Sequence, residues 1–568
     1  MVLMYVLGIS CYYHDSAACL IKDGKILVAA EEERFSRIKH DNGFPLNAIK
    51  FCLKNQKINA TDLDYVVFYE KPLIKFDRIL QTFVETFPAS FVSFYKMVPS
   101  WVNEKLQIRS NIRKKVGYDK DVLFVDHHTS HASSAFFCSP FKEAAILTVD
   151  GVGEWATTSL SYGKDNKIFK LKDLNFPNSL GLFYATLTAF LGFKVNNDEY
   201  KVMGLAAYGK PNYLEKFRKL MKVFSDGSIE LNLEYFDFHK TSRMWSRKME
   251  NLLGHPRKPH EEITQRHKDI AATLQKITED IYFKMANHLY SLTKSENLCI
   301  AGGVALNSVA NGKLYDETPF KNIFVQPASG DSGGAMGAAL FVWHQIHNNK
   351  RKRDSELQHA YLGPNFSENE IQNFLRTKKI SYKKFPRKEL LKTVAKLISQ
   401  DKIVGWFQGR MEWGPRALGN RSILASPINP KMRDIVNDKI KHREDFRPFA
   451  GTVLQEDVHK YFEVPEKNHE SPFMLFVFKV KPEAHKSIPA IIHVDGTCRV
   501  QTVSRQQNEL YYDLIKEFKK LTGTSVVLNT SFNLAGESIV CTPKEAYEDF
   551  VKTPMDYLVL GNYLISKQ

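Results

Sequence analysis

The chain has 568 residues, 43% of them apolar and 12% aromatic, with 79 Lys plus Arg against 63 Asp plus Glu for a net charge of +16. That length is too great for one hydrophobic core and implies two or three globular domains. No run of about 18 uncharged apolar residues occurs, which excludes a membrane-spanning helix of the ordinary kind.

Residues 1–8 are apolar without a charged n-region and lead straight into patterned strand, so no signal peptide is expected. Seven scattered cysteines form no Cys-x-x-Cys pair, which suits reduced thiols in a cytoplasmic protein. The positive charge suits anionic partners such as nucleotides, phosphates or RNA, and equally suits plain solubility. The basic run 350–353 reads as a solvated linker, because polar residues flank it.

In chain order, residues 6–10, 17–21 and 26–30 read as strands, the last two joined by an Asp-Gly turn at Asp23-Gly24. Residues 122–126 form a short apolar, β-branched run and read as a buried strand leading into the helix-friendly 127–137. Strand, turn and strand return at 145–149 and 156–162, which suggests an internal duplication. Residues 179–191 and 267–291 have helical spacing, 297–301 and 321–326 read as strands, and a glycine-rich loop at 329–334 opens a helix over 335–346. The polar stretch 347–356 marks the main boundary. Beyond it helices (390–400, 432–441, 509–521, 543–552) alternate with strands (403–407, 500–503, 525–529, 557–560), an α/β domain of ordinary size.

A helix starting near His127 places His127 and His131 at i and i+4, with Cβ atoms roughly 6 Å apart, close enough to share a metal ion. Surface histidines at a polar helix start are the competing interpretation. Asp150 ends a strand before a glycine and projects beyond the strand end. Asp331 opens a helix, where an N-cap is the ordinary role. Two imidazoles and two carboxylates suit Fe2+, Mn2+ or Zn2+, and the His-Glu-x-x-His pattern of zinc peptidases is absent because His128 takes the Glu position. The turns at Gly302-Gly303, Gly330 to Gly337 and Gly204 to Gly209 allow backbone N–H groups to approach a nucleotide phosphate.

Several stretches together resemble the O-carbamoyltransferase family of antibiotic, toxin and nodulation-factor biosynthesis. They are Gly8-Ile9-Ser10, Tyr13-His14-Asp15-Ser16-Ala17-Ala18, residues 31–37, 127–131, 201–206, 302–307, 330–334, 412–421, 441–450, 493–502 and 529–533. The motifs run in order along nearly the whole chain; Cys498 and Gly451 are the departures noted. The resemblance implies an α/β chain: a duplicated actin-like ATPase domain of the threonylcarbamoyl-transfer type over 1–346 (lobes about 1–140 and 141–346), a linker at 347–357, and a YrdC-like domain over 358–568. The second domain would make carbamoyl-adenylate from carbamoyl phosphate and ATP, with Mg2+ accompanying the nucleotide. The first would hold that adenylate near a divalent metal, Fe2+ ahead of Mn2+ or Zn2+, and pass the carbamoyl group to a hydroxyl.

The family pattern points to Arg416, Lys441, Arg447, Arg499 and Ser531 as the activating pocket, with Asn529 as a polar neighbour. Dense cationic clamping is what joining two polyanions requires. Arg505 reads as a solvated surface residue, and His442 and Arg443 as flanking. His14 is the candidate base for the acceptor hydroxyl, with a structural hydrogen-bonding histidine as the equal alternative. Lys39, Gly204, Gly302, Gly303, Asn307 and Asp331 are the expected nucleotide-side contacts; His127, His131, Asp150 and Asp331 are the expected metal ligands. A small-molecule hydroxyl acceptor is expected, without membrane or nucleic acid, and a homodimer stands open. The competing readings are a tRNA threonylcarbamoyladenosine-type modification enzyme, against which no RNA-binding module is visible, and a nucleotide-gated binding protein without catalysis.

Overall fold

The computed structural model describes residues 4–352, 356–467 and 469–567. The chain divides into two compact units, one built from Met1–Glu32, His40–Ala310 and Leu314–Leu357, the other from Glu33–Lys39, Asn311–Lys313 and Gln358–Gln568. The short segment 33–39 thus belongs with the C-terminal half of the sequence, through bonds such as Arg34 Nη2 donating to the Gly414 carbonyl at 2.8 Å.

The first unit holds two five-stranded sheets. One contains β1 (Tyr5–Ser10), β2 (Ala17–Lys22), β3 (Lys25–Glu31), β4 (Tyr65–Phe68) and β5 (Val122–Phe124), in the order β3-β2-β1-β4-β5. The other contains β6 (Glu143–Val149), β7 (Ala156–Lys164), β8 (Lys167–Asn175), β11 (Asn297–Ala301) and β12 (Asn322–Val325), in the order β12-β11-β6-β7-β8. A small hairpin of β9 (Met221–Val223) and β10 (Ile229–Leu231) lies between β8 and β11 in sequence. In both sheets the first three strands form an antiparallel meander and the last two add in parallel. The two sheets therefore share one strand order and one set of directions.

The 3.6-residue pattern at 267–291 becomes one long helix, Gln265–Thr293. The expected helix near His127 spans His127–Phe136, and the glycine-rich loop opens the helix Asp331–Phe341. These two helices press together because glycine leaves room. A Cβ on Gly337 would lie 1.8 Å from the Ser130 carbonyl oxygen, and one on Gly8 of β1 would lie 1.8 Å from that of Ala335. The Gly330–Gly337 run, expected at a phosphate, spends Gly334 and Gly337 on this packing: Tyr69 covers the first and Ser130 the second.

In the second unit a nine-stranded mixed sheet runs β13-β21-β20-β14-β15-β19-β16-β18-β17. Its strands are β13 (Lys383–Lys384), β14 (Val404–Phe407), β15 (Arg421–Ala425), β16 (Ala450–Leu454), β17 (Phe476–Lys479), β18 (Thr497–Val503), β19 (Val526–Ser531), β20 (Tyr557–Leu560) and β21 (Tyr563–Ser566). Helices Arg387–Ser399 and Glu509–Thr522 supply Leu390, Val394, Ile398, Leu514 and Phe518 to a core shared with Trp406 of β14. The apolar spacing read at 390–400 and 509–521 is the face that fills this core.

Within the stretch read as a linker, residues 353–355 lie outside the described residues, Arg353 of the basic run among them. Arg351 departs from the solvated reading. Its guanidinium sits 4.6 Å over the Phe136 ring and donates to the carbonyls of Ser139 at 2.6 Å and Phe141 at 2.5 Å. Among the described residues no helix is long and apolar enough to cross a membrane.

Candidate metal centre and cationic pocket

The site of the first unit is assembled at the carboxyl ends of parallel strands, where α/β sheets expose backbone and loops to a ligand. Glu70 follows β4, His127 follows β5, Asp150 follows β6, and Asp331 follows β12. All four expected ligands converge. His127 Nε2 lies 2.9 Å from Asp150 Oδ2 and 3.1 Å from His131 Nε2; Asp331 Oδ1 is 3.7 Å from both imidazole nitrogens, and Asp150 Oδ2 is 3.6 Å from His131 Nε2. Donors each about 2.1 Å from one ion sit about 3.0 Å apart at a right angle and about 3.4 Å apart in a tetrahedron. The four side chains are 0–5% exposed.

The unused atoms of the cluster are held by neighbours. Asp150 Oδ1 accepts the Gly303 N–H at 3.0 Å, and Asp331 Oδ2 accepts the Tyr69 hydroxyl at 3.1 Å. Asp331 Oδ1 is buried without a hydrogen-bond partner. A buried carboxylate oxygen left bare, with two imidazole nitrogens turned toward each other, fits a divalent cation and is costly without one. Glu70 Oε2 stands 3.7 Å from His127 Nδ1, and the Glu154 carboxylate accepts the His127 backbone N–H at 3.1 Å, a negative group at a helix N-terminus.

Burial works against charge on His127, but Asp331, Asp150 and Glu70 outweigh it and push the imidazole up to about 10. Burial likewise opposes charge on Asp150, yet bonds to His127 and His131 hold it well below the usual carboxylate range. Lys75, whose Nζ lies 2.5 Å from Glu70, together with His127 holds that carboxyl at about 2 against its burial.

His14 lies in the loop after β1. Its Nδ1 is 2.9 Å from Asp15 Oδ2, while Asp15 Oδ1 is 2.6 Å from His40 Nδ1, so one carboxylate bridges two imidazoles. Burial lowers the affinity of His14 for a proton, but Asp331 and Asp15 raise it to about 10. Asp15, His40, Glu70, Glu154 and Tyr69 were not singled out in the sequence. Asp15 stood inside a quoted motif; Glu70 follows a strand that the pattern did not reveal.

The expected nucleotide-side residues have traceable local roles. Gly302 has φ +92°, and a Cβ there would meet the Val149 carbonyl oxygen at 2.2 Å, while Gly303 serves Asp150. Asn307 caps the helix Ser308–Glu317 by accepting the Ala310 N–H, and its amide exchanges two bonds with Gln275 at 3.0 and 3.1 Å. Gly204 lies within the helix Glu199–Ala206. Lys39 belongs to the second unit and is half-buried.

In the second unit, Lys441 is 4% exposed and among the described residues its ammonium donates to neutral oxygens only: the Ser531 carbonyl, Ser531 Oγ at 3.4 Å, the Asn533 carbonyl at 3.0 Å and Asn533 Oδ1 at 2.8 Å. Ser531 Oγ donates to Asn533 Oδ1 at 2.7 Å. Burial, then Arg443 and Arg447, pull Lys441 well below its ordinary value. Burial, then Arg416 and Arg443, do the same to Arg499. Five cations crowd one place, the charge arrangement of a polyanion site. Asn529 is buried at the floor, donating to Gln501 Oε1, Thr452 Oγ1 and the Ala417 carbonyl, and its Oδ1 has no partner.

Arg421 does other work. Fully buried, it lies 3.7 Å over Phe407 and donates to the carbonyls of Gln408, Asn420 and Pro364. Arg505 is exposed and pairs with Glu509 at 2.9 Å, as expected of a solvated residue. Asn533 is the pocket residue the sequence reading passed over, although it ends the quoted 529–533 motif.

Comparison with known proteins places this geometry in a family. The model described as "Carbamoyltransferase N-terminus" matches residues 5–340, and "Carbamoyltransferase C-terminus" matches residues 395–567. An uncharacterized protein of Synechocystis sp. (sll1178) is 46% identical over 99% of this chain and 97% of its own length. Nodulation protein NolNO of Sinorhizobium fredii is 37% identical over 98% of this chain and 79% of that protein. Nodulation protein NolO of Bradyrhizobium diazoefficiens is 38% identical over 78% of this chain and 79% of that protein. With both halves matched by the two models and relatives of this similarity spanning most of the sequence, the chain belongs to the carbamoyltransferase family and is an enzyme that transfers a carbamoyl group.

Proposed function

We propose that the protein is an ATP-dependent O-carbamoyltransferase working through carbamoyl-adenylate. The observation that carries this reading is the crowding of Lys441, Arg416, Arg443, Arg447 and Arg499. That much positive charge, with Lys441 buried and the four arginines half-buried, suits two polyanions brought together, here carbamoyl phosphate and ATP. Carbamoyl phosphate loses phosphate to water and leaves carbamate. The carbamate oxygen attacks the α-phosphorus of ATP, the bond to the β-phosphate oxygen breaks, and pyrophosphate departs. Arg416, Arg499 and Lys441 bear the charge that collects on the phosphates, and Ser531 with Asn533 keeps the Lys441 ammonium in place.

Transfer belongs to the first unit, whose matching sheet orders support the duplicated actin-like reading; the second unit is read as the YrdC-like activating domain. His127, His131, Asp150 and Asp331 would hold a divalent ion, Fe2+ first among candidates on its imidazole and carboxylate donors. When bound, such an ion supplies a Lewis acid that polarises a carbonyl or phosphoryl oxygen. The acceptor is a small-molecule alcohol. Its oxygen attacks the carbamoyl carbon, AMP leaves, and His14 takes the proton. Asp15 holds the Nδ1 side of His14, which leaves Nε2 as the accepting nitrogen. Neutralising Asp331, the largest of the charges that raise His14, and Asp150 weakens the push that otherwise keeps His14 protonated, while Asp15 continues to hold it up.

The test is pyrophosphate release from ATP by the full chain, with carbamoyl phosphate present and absent. Release that requires carbamoyl phosphate supports the reading; no release with Mg2+ plus Fe2+, Mn2+ or Zn2+ overturns it.

A further inference from the structure

Arg78 lies on the helix Pro72–Thr86, beside the metal centre, and none of the steps above uses it. It is 7% exposed, and its Nε has no partner. Among the described residues its guanidinium makes no hydrogen bond and no ion pair, and it lies 4.8 Å over the Phe176 ring. The groups facing it are Tyr13, Glu70 and Glu154. Both carboxylates are already engaged, Glu70 by Lys75 at 2.5 Å and Glu154 by the backbone N–H groups of Lys71 and His127. Tyr13 is the wall shared with the centre: the Lys75 ammonium stands 4.7 Å over its ring, and its hydroxyl lies 3.7 Å from where a Cβ on Gly151 would be, next to Asp150.

A guanidinium carries five N–H donors in a planar fork that matches a carboxylate or a phosphate. Leaving Nε wholly buried without a partner, on a charged group that is itself mostly buried, costs more than exposing it. A mostly buried guanidinium with an orphaned Nε has the character of a group kept for a ligand.

We infer that Arg78 anchors an oxyanion, a phosphate or a carboxylate, on the ligand held next to the His127 centre. The identity of that ligand, as activated donor or as an acidic acceptor, rests on the reading of the first unit as the transfer chamber; the anion site itself does not. A phosphate on the donor and a carboxylate on the acceptor are distinguishable by probe.

The experiment is thermal unfolding of chelator-treated full-length protein in an Arg499→Met background, which weakens the anion site of the second unit. Inorganic phosphate, AMP and acetate are the probes, against the parent, Arg78→Met and Arg78→Lys. Phosphate is expected to raise the midpoint of the parent and of Arg78→Lys, and to lose at least about tenfold in apparent affinity in Arg78→Met. Without anion, Arg78→Met is expected to melt at or above the parent, by up to about 2 °C, because it removes an unsatisfied buried charge. Protection by phosphate and AMP alone assigns the site to a phosphate; protection by acetate as well assigns it to an acidic acceptor. Equal phosphate protection in the parent and Arg78→Met, or none in the parent, overturns the inference. No pyrophosphate release by the protein with Arg499 intact, alongside phosphate protection that depends on Arg78, would sink the proposed activation chemistry and leave the anion site standing.

Discussion

His127 and His131 face each other Nε2 to Nε2 at 3.1 Å, one helical turn apart, with Asp150 Oδ2 at 2.9 Å from the first. Two imidazole nitrogens at that distance share at most one proton, and the bare Asp331 Oδ1 beside them has none to give when ionised. A cation resolves the frustration of all four groups at once.

Metal binding should therefore displace protons. His127 is pushed up to about 10, so at neutral pH a proton must leave before the nitrogen can ligate. Affinity for Fe2+, Mn2+ or Zn2+ should rise as pH increases from 6 to 8. Titration calorimetry in two buffers of different ionisation enthalpy should show proton release; proton uptake would contradict the assignment.

Tyr69→Phe removes only the hydroxyl that holds Asp331 Oδ2. Metal affinity should fall about 10- to 100-fold with the fold intact, the usual cost of losing an outer partner. Metal content after dialysis and the circular dichroism spectrum check the two halves of this statement.

Arg421 and Arg499 look alike in sequence and should behave oppositely. Arg421→Met orphans the Gln408, Asn420 and Pro364 carbonyls and should cost about 3 kcal/mol of stability. Arg499→Met relieves repulsion from Arg416 and Arg443, and should leave urea stability unchanged or higher while lowering pyrophosphate release at least about 100-fold.

His344 makes stability depend on pH. It is 1% exposed, donates Nδ1–H to the Asn349 carbonyl at 3.1 Å, and is pushed down to about 4 by burial, with Arg351 adding to it. The unfolded imidazole titrates near 6.5, so between about 6.5 and 4 the unfolded chain binds the extra proton and stability falls as pH falls. The full contribution is about 3 kcal/mol. Urea midpoints at pH 7 and 4.5 should converge more closely in His344→Gln than in the parent protein.

Much of this site was legible because its residues sit at strand ends and helix starts, which apolar runs and glycines mark. The i, i+4 spacing of His127 and His131 gave two candidate ligands, the strand before Asp150 and the glycine loop at Asp331 gave one each, and the fold brings the four together. The strand Tyr65–Phe68 escaped notice because four residues are too few to show a period, and Glu70 and Tyr69 escaped with it. The glycines were located correctly, but their work is mechanical: Gly337 admits Ser130, and Gly303 offers its N–H to Asp150. Sequence cannot separate a glycine that greets a phosphate from one that lets two helices touch. It also cannot tell Arg421, folded inward onto carbonyls, from Arg499, set among other cations.

The most direct test of the account follows α-32P-labelled ATP through the purified full chain with carbamoyl phosphate, Mg2+ and Fe2+. The account predicts carbamoyl phosphate-dependent formation of labelled AMP with one pyrophosphate per AMP, abolished in Lys441→Met. Labelled ADP in place of AMP, or AMP formed equally in Lys441→Met, would contradict it.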